Sequence, residues 1–112
     1  MNLKRVVVTG IGALTPIGNT AAEFWHGLSN GVSGAAPITR FDASLFKTQF
    51  ACEIKNLDLE QFMDRKEARK MDPFSQFAVV AVEEAMVDSG IDLEKIDKSR
   101  AGVIWGVTDL PR

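Results

Sequence analysis

Residues 72–90, DPFSQFAVVAVEEAMVDSG, constrain the fold more than any other stretch of the chain. Asp72 suits a helix N-cap and Pro73 the first helical position, where a missing N–H costs nothing. Phe74, Phe77, Ala78, Ala81, Val82 and Ala85 recur at the i, i+3, i+4, i+7 spacing of one helix face. Val79 and Val80 carry the apolar surface almost all round, and Gly90 supplies a left-handed stop. A helix of that kind is predicted to be deeply buried, so it needs cover on several sides. The whole chain has 112 residues, one domain at most, and a chain of that size buries roughly 65% of its unfolded surface.

Two apolar runs are the candidates to cover it. KRVVVTG, residues 4–10, reads as a buried strand, and AGVIWG, residues 101–106, as a second. Between them TAAE, residues 20–23, is a capping box that opens a helix carrying Phe24, Trp25 and Leu28, with Gly31 as its stop. Residues 31–42 are turn-rich and read as irregular. TQFACEIK, residues 48–55, alternates as a half-buried strand with Phe50, Cys52 and Ile54 on one face. The pattern is α/β with a mostly buried sheet. A buried parallel sheet needs helices on both faces, and one or two long helices cannot supply them. The chain therefore reads as the beginning of a larger fold.

VVVTGIGALTPIG, residues 6–18, resembles a strand entering a dinucleotide cradle, which needs G-x-G-x-x-G between strand and helix. Gly10 and Gly12 are in place, but Thr15 stands where the third glycine belongs and Pro16 follows. A helix starting at that turn would hold Pro16 in its interior, at a cost of about 3 kcal/mol. The first good helix start, Thr20, comes too late for phosphate contact. The glycines are better read as letting the chain leave the sheet sharply, with Gly18 and Asn19 in a second turn. A nicotinamide-dependent reductase is thereby disfavoured.

The net charge of −2 exerts no global pull toward nucleic acid or an anionic membrane, so charged recognition has to be local. The best local candidate is RKEARK, residues 65–70. At helical spacing Arg65, Lys66, Arg69 and Lys70 share an arc of about 140°. On charge alone the run reads as a solvated face, neutralised by Asp64, Glu67 and Asp72. No aromatic stands among the charges to stack a base, so nucleic acid is not expected. Cys52 is the one cysteine and His26 the one histidine, so no internal disulfide can form, and chemistry needing two histidines cannot be completed here. Cys52 is expected to be an ordinary buried thiol and His26 a surface or packing residue. The three valines at 6–8 are too few for a signal-peptide core or a membrane span, which points to a soluble cytoplasmic protein.

Taken together, KRVVVTGIGALTPIGNT, then FW, GVSG, ITRFD and MDRKEARKMDPFSQFA, resemble the N-terminus of the beta-ketoacyl-acyl carrier protein synthases, the condensing enzymes of fatty acid synthesis. The resemblance runs in register from about residue 4 to residue 106. It implies the N-terminal part of a thiolase-like fold with αβαβα layers, truncated here. It implies an acyltransferase that moves an acyl chain to a cysteine, decarboxylates malonyl carrier protein and joins the two in a Claisen condensation, with no cofactor and no metal. The nucleophile and the two histidines it implies lie later than this chain reaches, so no catalytic residue is expected within it. It further implies that Lys66, Arg69 and Lys70 dock the acidic helix of acyl carrier protein, and that full-length members are homodimers.

Where the resemblance implies a glycine-rich turn after Gly106, this chain reads GVTDLPR. Residues 1–106 are thus expected to form a partial synthase domain and 107–112 a divergent tail, from a truncated or frameshifted product or a fragment of a longer gene. The isolated chain is expected to expose a large apolar patch and to associate or fold only in part. The alternative is a stand-alone carrier-binding module that retains the basic face.

Overall fold

The structure is a computed structural model that describes residues 1–108. Three α-helices organise it: α1 (Ala21–Ser29), α2 (Arg65–Ala68) and α3 (Pro73–Ser89), with a two-stranded antiparallel ladder of β1 (Ala36–Pro37) and β2 (Phe50–Ala51) between the first two. Single 3₁₀ turns at Leu59–Gln61 and Lys98–Arg100 flank α2 and follow α3.

The two long helices begin and end where local chemistry places them. The Thr20 hydroxyl accepts from the Glu23 N–H at 3.1 Å, as the capping box requires. The Glu23 carboxylate reaches back one residue further than expected, accepting from the Asn19 N–H at 2.8 Å. At the other end of α1 the Gly31 N–H donates to Leu28 and the Val32 N–H to Gly27, with Gly31 at φ 66°. That pairing is a Schellman closure, which puts a residue free of Cβ strain at the left-handed position. α3 starts at Pro73 after Asp72 and stops before Gly90, at φ 64°.

The glycines of residues 10–13 do something other than turn a corner. Neither Gly10 nor Gly12 has positive φ. A Cβ on Gly12 would stand 1.9 Å from the Ala81 carbonyl oxygen, and one on Gly10 would stand 2.2 Å from that of Ala85. The segment lies directly on the backbone of α3, and only glycine admits that approach. The turn that follows is closed by Thr15 and Gly18, with Pro16 in its second position: Gly18 N–H donates to the Thr15 carbonyl at 3.2 Å and Thr15 N–H to Gly18 at 2.8 Å.

Several burial expectations are corrected. Residues 4–10 and 101–106 form no strand, because neither run has a hydrogen-bonded neighbour among the described residues. Val6, Val8 and Ile104 are 91%, 81% and 101% exposed. α3 is not deeply buried: Val80 and Ala81 are its only buried residues, and Val87 is exposed. Trp25 and Leu28 of α1 face solvent, and the buried position of that helix is Gly27, packed on Ile17. Phe50 of β2 and Cys52 just beyond it are exposed while Ala51 and Glu53 are half-buried, the reverse of the expected facing; Ile54 is half-buried, as expected. Part of the turn-rich stretch is β1, which pairs Ala36 with Ala51. Of the tail 107–112, Val107 is exposed, and residues 109–112 lie outside the described residues.

The radius of gyration is 17.4 Å, against about 13 Å for a closed domain of this length. The expectation of exposed apolar surface is met by this geometry.

Candidate functional site

The basic run forms a single helical turn. α2 spans Arg65–Ala68, and Arg69 is its C-cap, still in right-handed helical geometry at φ −66°, ψ −19°. The turn then tightens: Arg69 N–H bonds Arg65 at i−4, while Lys70 and Met71 N–H groups bond Glu67 and Ala68 at i−3. The expected helical arc over residues 65–70 therefore holds only for its first part.

Two carboxylates divide the four cations into two classes. Arg65 Nε stands 3.3 Å from Glu60 Oε1, and Lys70 Nζ 3.1 Å from Glu67 Oε1. Lys66 and Arg69 are exposed, and neither has an ion-pair partner among the described residues. They are three residues apart, neighbours on one helix face. Glu67 neutralises as expected, and Glu60 takes the place of the expected Asp64 and Asp72. All four side chains in these pairs are more than half exposed, so each pair holds a direction in space more than it adds stability.

What aims this turn was not apparent from the sequence. Ala68 is buried, and the Gln76 amide of α3 donates to the Ala68 carbonyl at 2.8 Å and to that of Met71 at 3.3 Å. Gln76 thus caps the end of α2 from the first turns of α3 and satisfies carbonyls that a short helix leaves open. The signal available in the sequence was a glutamine one turn into a helix with an apolar face.

The Gly10–Gly12 region offers no anion cradle. Its outward amides are already taken: the Ile11 N–H donates to Asp88 Oδ2 and the Ala13 N–H to Glu84 Oε2, both at 2.9 Å. A phosphate arriving there would meet two carboxylates. A cavity of about 500 Å³ beside it is mostly apolar, lined by Ile11, Ala22, Phe62, Val80 and Val87 among others, and its charged lining residues, Glu83, Glu84 and Asp88, are all acidic.

A second residue missed in the sequence is Lys55. Its ammonium donates to the carbonyls of Gly34 at 2.8 Å, Glu53 at 3.1 Å and Pro16 at 3.2 Å. Three donors meet three carbonyl oxygens, tying the turn at 15–18 to the loop after α1. Nearby, Thr39 donates its hydroxyl to Glu53 Oε2 at 2.7 Å and its N–H to both carboxylate oxygens at 3.3 Å. The Thr39 hydroxyl holds the Glu53 carboxyl below the usual glutamate range.

Cys52 is exposed, not buried as expected; it follows the end of β2, and no helix starts directly behind it. His26 is a surface residue of α1, as expected, with Nδ1 3.5 Å from the Asn30 amide. Among the described residues no group of three or more His, Cys, Asp or Glu side chains could hold a metal ion, and no helix is long and apolar enough to cross a membrane.

The family model for the beta-ketoacyl synthase N-terminal domain matches residues 3–109. The 3-oxoacyl-[acyl-carrier-protein] synthase 2 of Synechocystis is 50% identical over 103 residues, which are 92% of this chain and 25% of that protein. The Coxiella burnetii protein of the same name is 43% identical over 95% of this chain and 26% of its own length. The chain thus spans about a quarter of the length of these relatives. The ishigamide ketosynthase/chain length factor superposes with a TM-score of 0.73 at 34% identity, over 80% of this chain and 22% of that one. A type II polyketide ketosynthase, solved in complex with its acyl carrier protein, superposes with a TM-score of 0.61 at 26% identity, over 84% of this chain and 24% of that one. The fold is that of the N-terminal part of a ketosynthase, and the chain belongs to the beta-ketoacyl synthase family through its N-terminal domain.

Proposed function

We propose that this chain is the front portion of a condensing enzyme of fatty acid synthesis, and that its own contribution to the reaction is to seat the carrier protein. The whole reaction is a decarboxylating Claisen condensation. An acyl group passes from its carrier thioester to an enzyme thiol, malonyl carrier protein loses carbon dioxide, and the resulting carbanion forms a carbon–carbon bond to the acyl carbon as the thiol leaves. The nucleophile and the groups that stabilise the enolate belong to the part of the fold beyond this chain. Cys52 and His26 are read as supplying neither, since both are exposed surface residues.

The observation that carries the reading is the pair Lys66 and Arg69, exposed and without carboxylate partners among the described residues, while their neighbours Arg65 and Lys70 are paired. Two free cations on one face of a turn, held in direction by Gln76, can grip an acidic helix through charge-assisted contacts. Such contacts govern encounter rate and orientation more than affinity. Lys70 lies at the rim, where exchanging Glu67 for a carrier carboxylate changes little. The polyketide ketosynthase that this chain resembles was itself solved with its carrier protein, which supports the assignment of partner.

The test is a chimera in which this chain replaces the matched first quarter of the Synechocystis relative. The chimera is expected to elongate acyl carrier protein substrates. Lys66→Glu with Arg69→Glu is expected to raise KM for the carrier substrate about tenfold or more, with kcat within about twofold. A soluble chimera without elongation activity, or one whose KM ignores the reversal, overturns the reading.

A further inference from the structure

The basic turn holds as many restrained cations as open ones, and the restraint is built into the backbone. Glu60 stands in the 3₁₀ turn Leu59–Gln61, which Asp58 caps: the Glu60 N–H donates to Asp58 Oδ1 at 3.1 Å. From that turn the Glu60 carboxylate reaches Arg65 Nε of α2 at 3.3 Å, so the pair joins two elements. Glu67 and Lys70 are brought together by the tightening of the turn. The Lys70 N–H donates to the Glu67 carbonyl at 3.0 Å, and the Lys70 ammonium to Glu67 Oε1 at 3.1 Å. Asp64 lies between the two, is exposed, caps nothing with its side chain and has no ion-pair partner among the described residues. Three carboxylates thus flank the turn, and two of them hold a cation.

We propose that Glu60 and Glu67 are internal competitors of the carrier protein: they occupy Arg65 and Lys70 until an acidic helix displaces them, and so set how tightly the carrier is held. The inference rests on the docking reading above and adds the residues that tune it. An acidic helix arriving on the turn finds Lys66 and Arg69 open. To use Arg65 or Lys70 it must exchange one ion pair for another. The side chains of the present pairs are 74% and 64% exposed, and 63% and 54% exposed, so each exchange swaps one solvent-screened contact for a similar one and gains little. Two cations then hold the carrier where four could. Weaker holding suits a partner that has to leave. In the condensation the carrier that delivers the acyl group departs before malonyl carrier protein takes its place, and affinity differences between related complexes lie mostly in the rate of departure.

The test is a calorimetric titration of acyl carrier protein into the full chain at about 100 mM salt, where the screening length is about 10 Å. Glu60→Gln and Glu67→Gln are each expected to tighten binding about two- to fivefold and to steepen its loss as salt is raised, because one more cation then meets the carrier. Asp64→Asn removes the same charge from the same turn and frees no cation, so less than half that gain is expected from it. Arg65→Gln is expected to leave the wild-type affinity within about twofold and to cancel the whole gain in the Glu60→Gln background. Equal gains from Glu60→Gln and Asp64→Asn, or a gain that survives Arg65→Gln, overturn the proposal. If Lys66→Glu with Arg69→Glu weakens binding while neither glutamine variant strengthens it, the internal competition falls and carrier docking stands. If the reversal changes nothing, docking falls and the proposal with it. Where the chain alone gives no heat, KM for the carrier substrate of the chimera reads the same comparisons, with the same outcomes deciding.

Discussion

Glu84 Oε1 accepts a hydrogen bond from the Ala21 N–H at 2.8 Å, joining the middle of α3 to the first residue of α1. Its other oxygen accepts from Ala13, and one helical turn further on Asp88 accepts from Ile11. The match is geometric. Four residues along a helix rise about 6 Å, and two residues of extended chain advance about 6.6 Å. Carboxylates at i and i+4 therefore meet alternate amides of the segment crossing them. The glycines at 10 and 12, which alternate with those amides, let the two backbones come within reach.

Glu84→Gln should loosen this junction. One side-chain oxygen becomes an NH₂ facing a backbone N–H, leaving a partly buried donor unpaired at a cost of about 1–3 kcal/mol. Amide exchange at Ala13 and Ala21 is expected to accelerate while exchange in the last turn of α3 stays unchanged. Equal acceleration across the whole chain would show instead that Glu84 acts on global stability.

Gly12→Ala should be far more damaging than Gly102→Ala. The first puts a methyl 1.9 Å from the Ala81 carbonyl oxygen, and the second meets nothing within 4 Å. The expected loss for Gly12→Ala is about 3 kcal/mol or more, with little change for Gly102→Ala. Thermal melts followed by circular dichroism compare the two, and similar melts would refute the close crossing.

Lys55→Met keeps the length of the stem and removes the three donors to Pro16, Gly34 and Glu53. Hydrogen bonds from a charged group contribute about 1.5–3 kcal/mol each when the partners are left behind. Limited proteolysis is expected to cut the variant first within residues 31–35. A wild-type cleavage pattern would show that Lys55 holds nothing.

The Glu53–Thr39 contact should fail in acid. The Thr39 hydroxyl, and after it the Thr39 and Arg40 backbone N–H groups, favour the ionised carboxylate, so the folded pKa lies below the ordinary value of 4.5. A depressed folded value means that the contribution is whole above pH 4.5 and is lost as the pH falls through the lower, folded value. The amide resonance of residue 39 is expected to titrate in that window, and at a higher pH in Thr39→Val, which loses the hydroxyl and keeps the backbone N–H donor. Titration centred above 4.5 would reverse the sign.

Gln76→Ala changes no charge, yet it should weaken binding of a carrier protein by freeing α2 from α3. About a three- to tenfold loss is expected, with the salt dependence unchanged because the cations remain. Gln76→Glu, which cannot donate to the Ala68 carbonyl and adds a negative charge, should weaken binding at least as much as alanine. Wild-type affinity in both would remove Gln76 from the site.

The parts of the fold that could be read in advance are those whose causes are local. Thr20 with Glu23, Pro73, Gly31 and Gly90 act within a few residues of the ends they set, and α1 and α3 run between them as expected. Strands at 6–8 and 103–105 could not be settled that way, because a strand exists only when a neighbour completes its ladder. The facing of β2 was inverted for the same reason: alternation shows that two faces differ, and only packing decides which is covered. Gly10 and Gly12 were legible as glycines needed by the backbone, while the need itself comes from α3, about 70 residues further along the chain. The basic turn was found from its charge pattern. The division into paired Arg65 and Lys70 and unpaired Lys66 and Arg69 required the position of Glu60, and the aim of the turn required Gln76.

The most direct test of the central claim is a calorimetric titration of acyl carrier protein into this chain at about 20 mM salt, where screening is weakest. The account predicts saturable binding that weakens tenfold or more in Lys66→Glu with Arg69→Glu, is unaltered in the remote control Lys95→Glu, and fades as salt is raised. Absence of binding, or equal binding by the wild type and the double reversal, would contradict it.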